Sequence, residues 1–174
     1  MYKLNGVMYS EEEIKLKVKE LAKKIEEDYK GEELLVVGIL KGASVFCADL
    51  IREIDLDVKM DFMVVSSYGN GTNSSGTVKI IKDLDVDIEN KNVLIVEDII
   101  DSGLTLSSLV AALKTRNPKS LKLCTLLDKP QRRVADIDVD YVGYVIDDKF
   151  IVGYGIDYAE KYRNLPYIGI VEDI

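Results

Sequence analysis

Val93-Leu94-Ile95-Val96 constrains this chain more than any other stretch, because four successive apolar residues leave no polar face. Such a run must be covered on both sides, the pattern of a strand inside an α/β sheet with helices above and below. Glu97 and Asp98 then fall at its carboxyl end, where open α/β sheets bind ligands in the crevice beyond the strands. Asp101-Ser102-Gly103-Leu104-Thr105 follows, and Leu106, Leu109, Val110 and Leu113 continue at helical spacing. The turn therefore opens a helix. Its first amides have no internal partners, Gly103 permits a tight turn, and Ser102 and Thr105 add hydroxyls, which together make an anion socket.

Three carboxylates flank this socket, where plain phosphate binding calls for cations. They suit a ligand that also offers hydroxyls to carboxylates and arrives with a divalent cation. A phosphorylated sugar carrying a metal-bound diphosphate meets these demands. Glu97-Asp98 taken alone would read as a solvated acidic turn; strand, turn and helix in order give it context.

A second strand-loop-helix junction lies upstream. Leu34 to Leu40 reads as a buried strand running into Lys41-Gly42-Ala43-Ser44, where Lys41 supplies a cation and Gly42 close backbone approach. Before it, Ser10-Glu11-Glu12-Glu13 is a capping box, and Ile14, Val18, Leu21 and Ile25 follow at helical spacing to an end near Gly31. Glu13 with Lys17 and Glu20 with Lys24 are i,i+4 pairs on that helix.

Val58 to Tyr68 reads as a strand and Thr77 to Ile81 as its return, with Gly69 to Gly76 between them too rich in Gly and Ser to pack. A long hairpin is expected, with a flexible loop at about residues 66–79. Asp83 to Asn90 lacks the spacing of a calcium loop and reads as a solvated strand end and turn. Asn117-Pro118 stops the helix after the anion socket. Leu121 to Leu127 is a further buried strand, whose exit Asp128-Lys129-Pro130 aims Lys129 at the same crevice. Tyr141 to Ile146 continues the series, and Tyr167 to Val171 reads as a short terminal strand.

Composition excludes several classes. A length of 174 residues at 47% hydrophobic content suits one domain spanning 1–174. A net charge of -8 opposes nucleic acid and anionic membranes as partners, and no apolar run approaches the ~18 residues of a membrane span. Cys47 and Cys124 form no C-x-x-C pair and read as buried thiols; with no signal-peptide pattern at the start, a cytoplasmic protein is expected. The absence of histidine removes Ser-His-Asp and Cys-His mechanisms and histidine-ligated metals, so chemistry falls to carboxylates, Lys, Tyr and metal.

Four apolar residues, E-D, two apolar residues and D-S-G-x-T resemble the 5-phosphoribosyl-1-diphosphate (PRPP) binding motif of type I phosphoribosyltransferases. With Leu40-Lys41-Gly42, Ser67-Tyr68, Lys129 and Asp147-Asp148-Lys149-Phe150-Ile151-Val152-Gly153-Tyr154-Gly155-Ile156-Asp157-Tyr158, the whole chain resembles the hypoxanthine (hypoxanthine-guanine) phosphoribosyltransferase family. Asp147 stands where that pattern commonly has Pro, and Leu104 where it sometimes has Lys.

The resemblance implies a three-layer α/β fold with a mostly parallel central sheet and a small hood from the terminal segments. It implies Mg2+-dependent transfer of the phosphoribosyl group from PRPP to N9 of a 6-oxopurine, in a homodimer or homotetramer. Asp101 is then the general base, while Glu97, Asp98, Ser102, Gly103, Leu104 and Thr105 hold ribose and phosphate. Lys41, Gly42 and Arg163 hold diphosphate; Lys129, Phe150, Ile151 and Asp157 hold the purine; Ser67 and Tyr68 belong to a closing loop; Glu97, Asp98 and Asp157 face the metal. Two alternatives stay open at this point. One is a noncatalytic PRPP-sensing regulator that binds nucleic acid, with Arg132-Arg133 as its only adjacent arginines; the other is a phosphoribosyltransferase for xanthine, orotate or another base.

Overall fold

The computed structural model describes residues 2–67 and 78–173. Elements run in the order β1 (Tyr2–Tyr9), α1 (Glu11–Asp28), β2 (Leu34–Leu40), α2 (Ser44–Glu53), β3 (Val58–Ser67), β4 (Val78–Lys82), β5 (Asn92–Ile100), α3 (Leu104–Lys114), β6 (Ser120–Asp128), β7 (Tyr141–Val145), β8 (Ile151–Val152) and β9 (Ile168–Asp173). A six-stranded sheet has the order β4-β3-β2-β5-β6-β7, parallel except for β4, and a three-stranded antiparallel sheet has the order β1-β9-β8.

The apolar runs explain the layers. Along β2, Leu34 and Val36 enter the core shared with α1 and α2, while Leu35, Val37 and Ile39 enter the core under α3. Successive side chains of a strand point to opposite faces, so an unbroken apolar run feeds both layers. Helix α3 buries Leu106, Leu109 and Leu113, and α1 buries Ile14, Val18, Leu21, Ala22 and Ile25.

The capping box of α1 forms as its spacing predicts, Ser10 accepting from the Glu13 amide and Glu13 accepting from the Ser10 amide. This occupies the Glu13 carboxylate. Lys17 accordingly turns to Glu20 at 2.7 Å instead of to Glu13, and Lys24 meets the same Glu20 at 2.8 Å.

Three expectations need adjustment. The hairpin is more regular at its base than predicted, since Ser66 and Ser67 pair with Lys79 and Val78; Tyr68 lies outside the described residues. The Asp83 to Asn90 segment is only partly solvated, because Ile88 is fully buried beneath α3 and Asp83 is gripped by both arms of Arg116 at 2.8 and 2.9 Å. Strand β1 was not expected, because its alternation, Tyr2-Lys3-Leu4-Asn5, is short and stops at Gly6. It forms because β9 supplies its partner, the terminal segments meeting as the small hood.

The chain order places the site. Strand β2 connects outward to β3, whereas β5 lies on the other side of β2 and leads outward to β6 and β7. The β2/β5 boundary is thus where the winding reverses, the position at which open α/β sheets form a ligand crevice. The loops after β2 and β5 are the two phosphate-type loops of the sequence.

Candidate active site

The turn after β5 has the geometry of an anion socket. Strand β5 continues through Glu97 and Asp98 to Ile100, and Gly103 caps α3 at φ 75°, a left-handed conformation that costs glycine little. Glu97, Ile99, Ile100 and every residue from Asp101 to Leu106 line one cavity of about 180 Å³. Ser102 Oγ accepts from the Leu104 amide at 3.4 Å, fixing the first turn of the helix.

Across the boundary, the loop after β2 meets β5 directly. A Cβ on Gly42 would lie 1.9 Å from Asp98 Oδ2, so only glycine admits this approach. The other side of the loop is equally close: a Cβ on Gly155, itself at φ 96°, would lie 2.3 Å from the Gly42 carbonyl oxygen. The Leu40-Lys41 peptide is cis. Lys41 pairs with Glu160 at 2.9 Å, and Arg163 pairs with Asp157 at 2.9 Å and Glu160 at 3.3 Å while donating to the Gly155 carbonyl at 2.8 Å. Lys41 holds the Glu160 carboxyl below its ordinary range, with Arg163 adding to the effect.

Burial pushes the Glu97 carboxyl well above its ordinary range, and the adjacent Asp98 carboxyl pushes it the same way. Asp98 is raised as well, again by burial first, with the Ile99 amide and the Arg163 charge acting against the rise. Two adjacent half-buried carboxyls cannot both ionise cheaply, and a cation relieves that conflict. Among the described residues, no three acidic or thiol side chains converge as a closed metal cage. Asp157 stands apart, its carboxylate taken by Arg163 and by the Glu160 amide at 2.8 Å. This donor set fits Mg2+, which binds through one or two carboxylates and fills its shell with water and phosphate oxygens.

Beyond the socket, Lys129 is 5% exposed although a lone Lys at a strand exit is ordinarily solvated. Its ammonium donates to the Lys149 carbonyl at 2.7 Å and lies 3.6 Å from Asp148 and 3.9 Å from Asp101. A cationic donor and a carboxylate thus stand side by side. Next to Lys149, Phe150 is 44% exposed, its ring perpendicular to that of Tyr158 with the centroids 5.2 Å apart. Ile151 is buried in β8, its backbone paired with Ile170.

The fold therefore gathers Lys41, Gly42, Asp98 and Arg163 at one end of the crevice, and Asp101, Lys129 and Phe150 at the other. Ser67 ends β3 at its rim. The sequence reading missed Glu160, which pairs with both Lys41 and Arg163, and Asp148, which faces Lys129. Glu160 had a local signal, standing three residues before Arg163; Asp148 had only its place before Phe150.

The phosphoribosyl transferase domain family matches residues 8–159. The chain belongs to that family. It is 58% identical over 169 residues to the hypoxanthine-guanine phosphoribosyltransferase of Bacillus subtilis, covering 97% of this chain and 94% of that protein. It is 57% identical over 169 residues to the bifunctional protein TilS/HprT of Listeria monocytogenes, of whose length it spans 26%. A crystal structure of a hypoxanthine-guanine phosphoribosyltransferase from Bacillus anthracis superposes with a TM-score of 0.93 at 54% identity, covering 99% of this chain and 100% of that one. The mixed α/β architecture with its mostly parallel sheet is the type I phosphoribosyltransferase fold.

Proposed function

We propose that this chain catalyses purine salvage, transferring the 5-phosphoribosyl group of PRPP to N9 of hypoxanthine or guanine and releasing diphosphate. The observation that carries the proposal is the pairing of the buried Lys129 with Asp101 at 3.9 Å. A 6-oxopurine presents an acceptor, O6, next to the nitrogen N7 that loses a proton when N9 attacks, so an adjacent cation and carboxylate fit its edge. Adenine, with a donor at that edge, would face Lys129 with like against like.

In this reading the Ser102 to Thr105 turn holds the 5′-phosphate through its amides and hydroxyls. Glu97 and Asp98 accept from the ribose hydroxyls, which fixes C1 against the base. Phe150 stacks on the purine, and the Ile151 backbone reads its edge. Asp101 takes the N7 proton as general base. Lys41, Gly42 and Arg163 receive the diphosphate, which must displace Glu160 from the two cations it holds. Glu97, Asp98 and Asp157 would hold Mg2+, which would supply charge neutralisation for the departing diphosphate. As C1 becomes oxocarbenium-like, the Glu97 and Asp98 carboxylates stabilise the developing positive charge.

We further propose one catalytic domain over 1–174, acting in the cytoplasm as a homodimer or homotetramer. Among the described residues no helix is long and apolar enough to cross a membrane. The nucleic-acid alternative loses its anchor, since Arg132 pairs with Asp148 at 3.3 Å and Arg133 with Asp128. The test is a spectrophotometric assay with PRPP, Mg2+ and hypoxanthine, guanine, xanthine, orotate or adenine in turn. Nucleotide formation with the first two supports the proposal; none with either, or a preference for orotate or adenine, rejects it.

A further inference from the structure

Arg133 lies outside every role assigned above, yet its guanidinium is largely buried behind the phosphate-type turn. Its side chain is 18% exposed and that of its partner Asp128 13%. Nε donates to the Asp101 carbonyl at 3.1 Å, one terminal nitrogen to the Ile137 carbonyl at 3.5 Å, and the other to the Asp128 carboxylate. The Arg133 stem fills the space behind Gly103, where an added Cβ would lie 3.1 Å from Arg133 Cδ. The next two residues complete the brace: the Val134 and Ala135 amides donate to the Ser102 carbonyl at 2.9 and 3.0 Å.

The consequence follows from peptide planarity. In a trans peptide the carbonyl of one residue and the N–H of the next point in opposite directions within one rigid plane. Holding the Asp101 carbonyl backward on Arg133 therefore aims the Ser102 N–H forward into the cavity. Holding the Ser102 carbonyl backward on Val134 and Ala135 does the same for the Gly103 N–H. Two consecutive donors are locked facing the place of the anion, the arrangement of a backbone nest. Arg spreads its donors over a planar fork and so reaches two carbonyls and a carboxylate that lie apart, whereas the donors of a Lys ammonium all leave one nitrogen.

We propose that Arg133 is a positioning residue for the phosphate socket, presetting the Ser102 and Gly103 amides and the backbone that carries Asp101, with Asp128 holding its guanidinium in place. The inference rests on the reading of this turn as the site of the 5′-phosphate of PRPP. It is tested with Arg133→Ala, Arg133→Lys and Asp128→Asn in the assay described above, alongside thermal melting. In Arg133→Ala, KM for PRPP should rise about tenfold or more and kcat should fall, with KM for hypoxanthine within about twofold of the parent. Added guanidinium chloride at low concentration should restore part of the lost rate in Arg133→Ala, ammonium chloride should not, and Arg133→Lys should remain impaired. Asp128→Asn, which preserves shape, should show the same PRPP-selective defect in milder form.

An active parent with Arg133→Ala unchanged in KM for PRPP overturns the inference alone. So does full recovery by Arg133→Lys, or a loss in Arg133→Ala that follows a collapsed melting transition while folded Asp128→Asn behaves as the parent. A parent protein that transfers no phosphoribosyl group removes the functional reading, and the inference falls with it.

Discussion

Replacing Gly42 by Ala tests the geometry of the crevice at its narrowest point. The new methyl carbon would lie 1.9 Å from Asp98 Oδ2 and 2.8 Å from Asp98 Cγ, where ordinary contact begins near 3.4 Å. The carboxylate must therefore retreat by about 1.5 Å. The loop cannot retreat instead, because Gly155 presses on the Gly42 carbonyl from the other side. Stability and activity should respond very differently. Asp98 is the free end of a short side chain, so turning it aside and weakening its bond from the Ile99 amide costs about 1 to 3 kcal/mol, a shift of several degrees in Tm. A displacement above 1 Å in a substrate-positioning group costs roughly a hundredfold in rate, or about 2.7 kcal/mol of transition-state stabilisation. Steady-state kinetics with PRPP and hypoxanthine, alongside melting curves, separate the two. A folded Gly42→Ala protein with kcat/KM for PRPP within about twofold of the parent would show that Asp98 has no part in holding the ribose.

Further outcomes follow from the same geometry. Asp101→Asn should retain PRPP binding and lose about 10² to 10⁴ in kcat, as expected of a general base; undiminished kcat would remove Asp101 from the mechanism. Lys129→Ala should raise KM for hypoxanthine and leave PRPP affinity intact, and equal loss of both would point to a damaged fold. Asp61 offers a pH test away from the crevice. Burial raises its carboxyl pKa, but the amides of Asp85 and Phe62 and the Lys82 ammonium outweigh that and hold it below the ordinary value. A depressed folded pKa contributes stability above the unfolded value of about 4 and loses it as pH falls through the folded value. The stability gap between the parent and Asp61→Asn should thus be open at neutral pH and narrow below about pH 4 in denaturant titrations; a gap independent of pH would refute the assignment.

The turn after β5 was legible because its residues are consecutive: a covered strand, a glycine and a helix start make the same local structure wherever they occur. The loop after β2 was legible for the same reason. Their meeting was not, because the sequence does not say that β5 lies against β2 instead of beyond β4, and only that order brings Gly42 onto Asp98. The ion pairs were equally hidden. Arg163 was assigned to diphosphate and Asp157 to metal and purine, yet they hold each other at 2.9 Å. Arg132-Arg133 was noted only as the one adjacent pair of arginines, whereas the chain turns Arg133 inward onto the Asp101 carbonyl and Asp128. Strand β1 left little trace for a physical reason: the alternation of Tyr2-Lys3-Leu4-Asn5 stops at Gly6, and its pairing energy comes from β9, distant in sequence.

The most direct measurement is a crystal structure of the protein with inosine monophosphate and Mg2+. The account predicts the 5′-phosphate on the Ser102 to Thr105 amides, O6 within hydrogen-bond distance of Lys129 Nζ, and the purine stacked on Phe150. A nucleotide bound elsewhere, with those amides unoccupied, would contradict it.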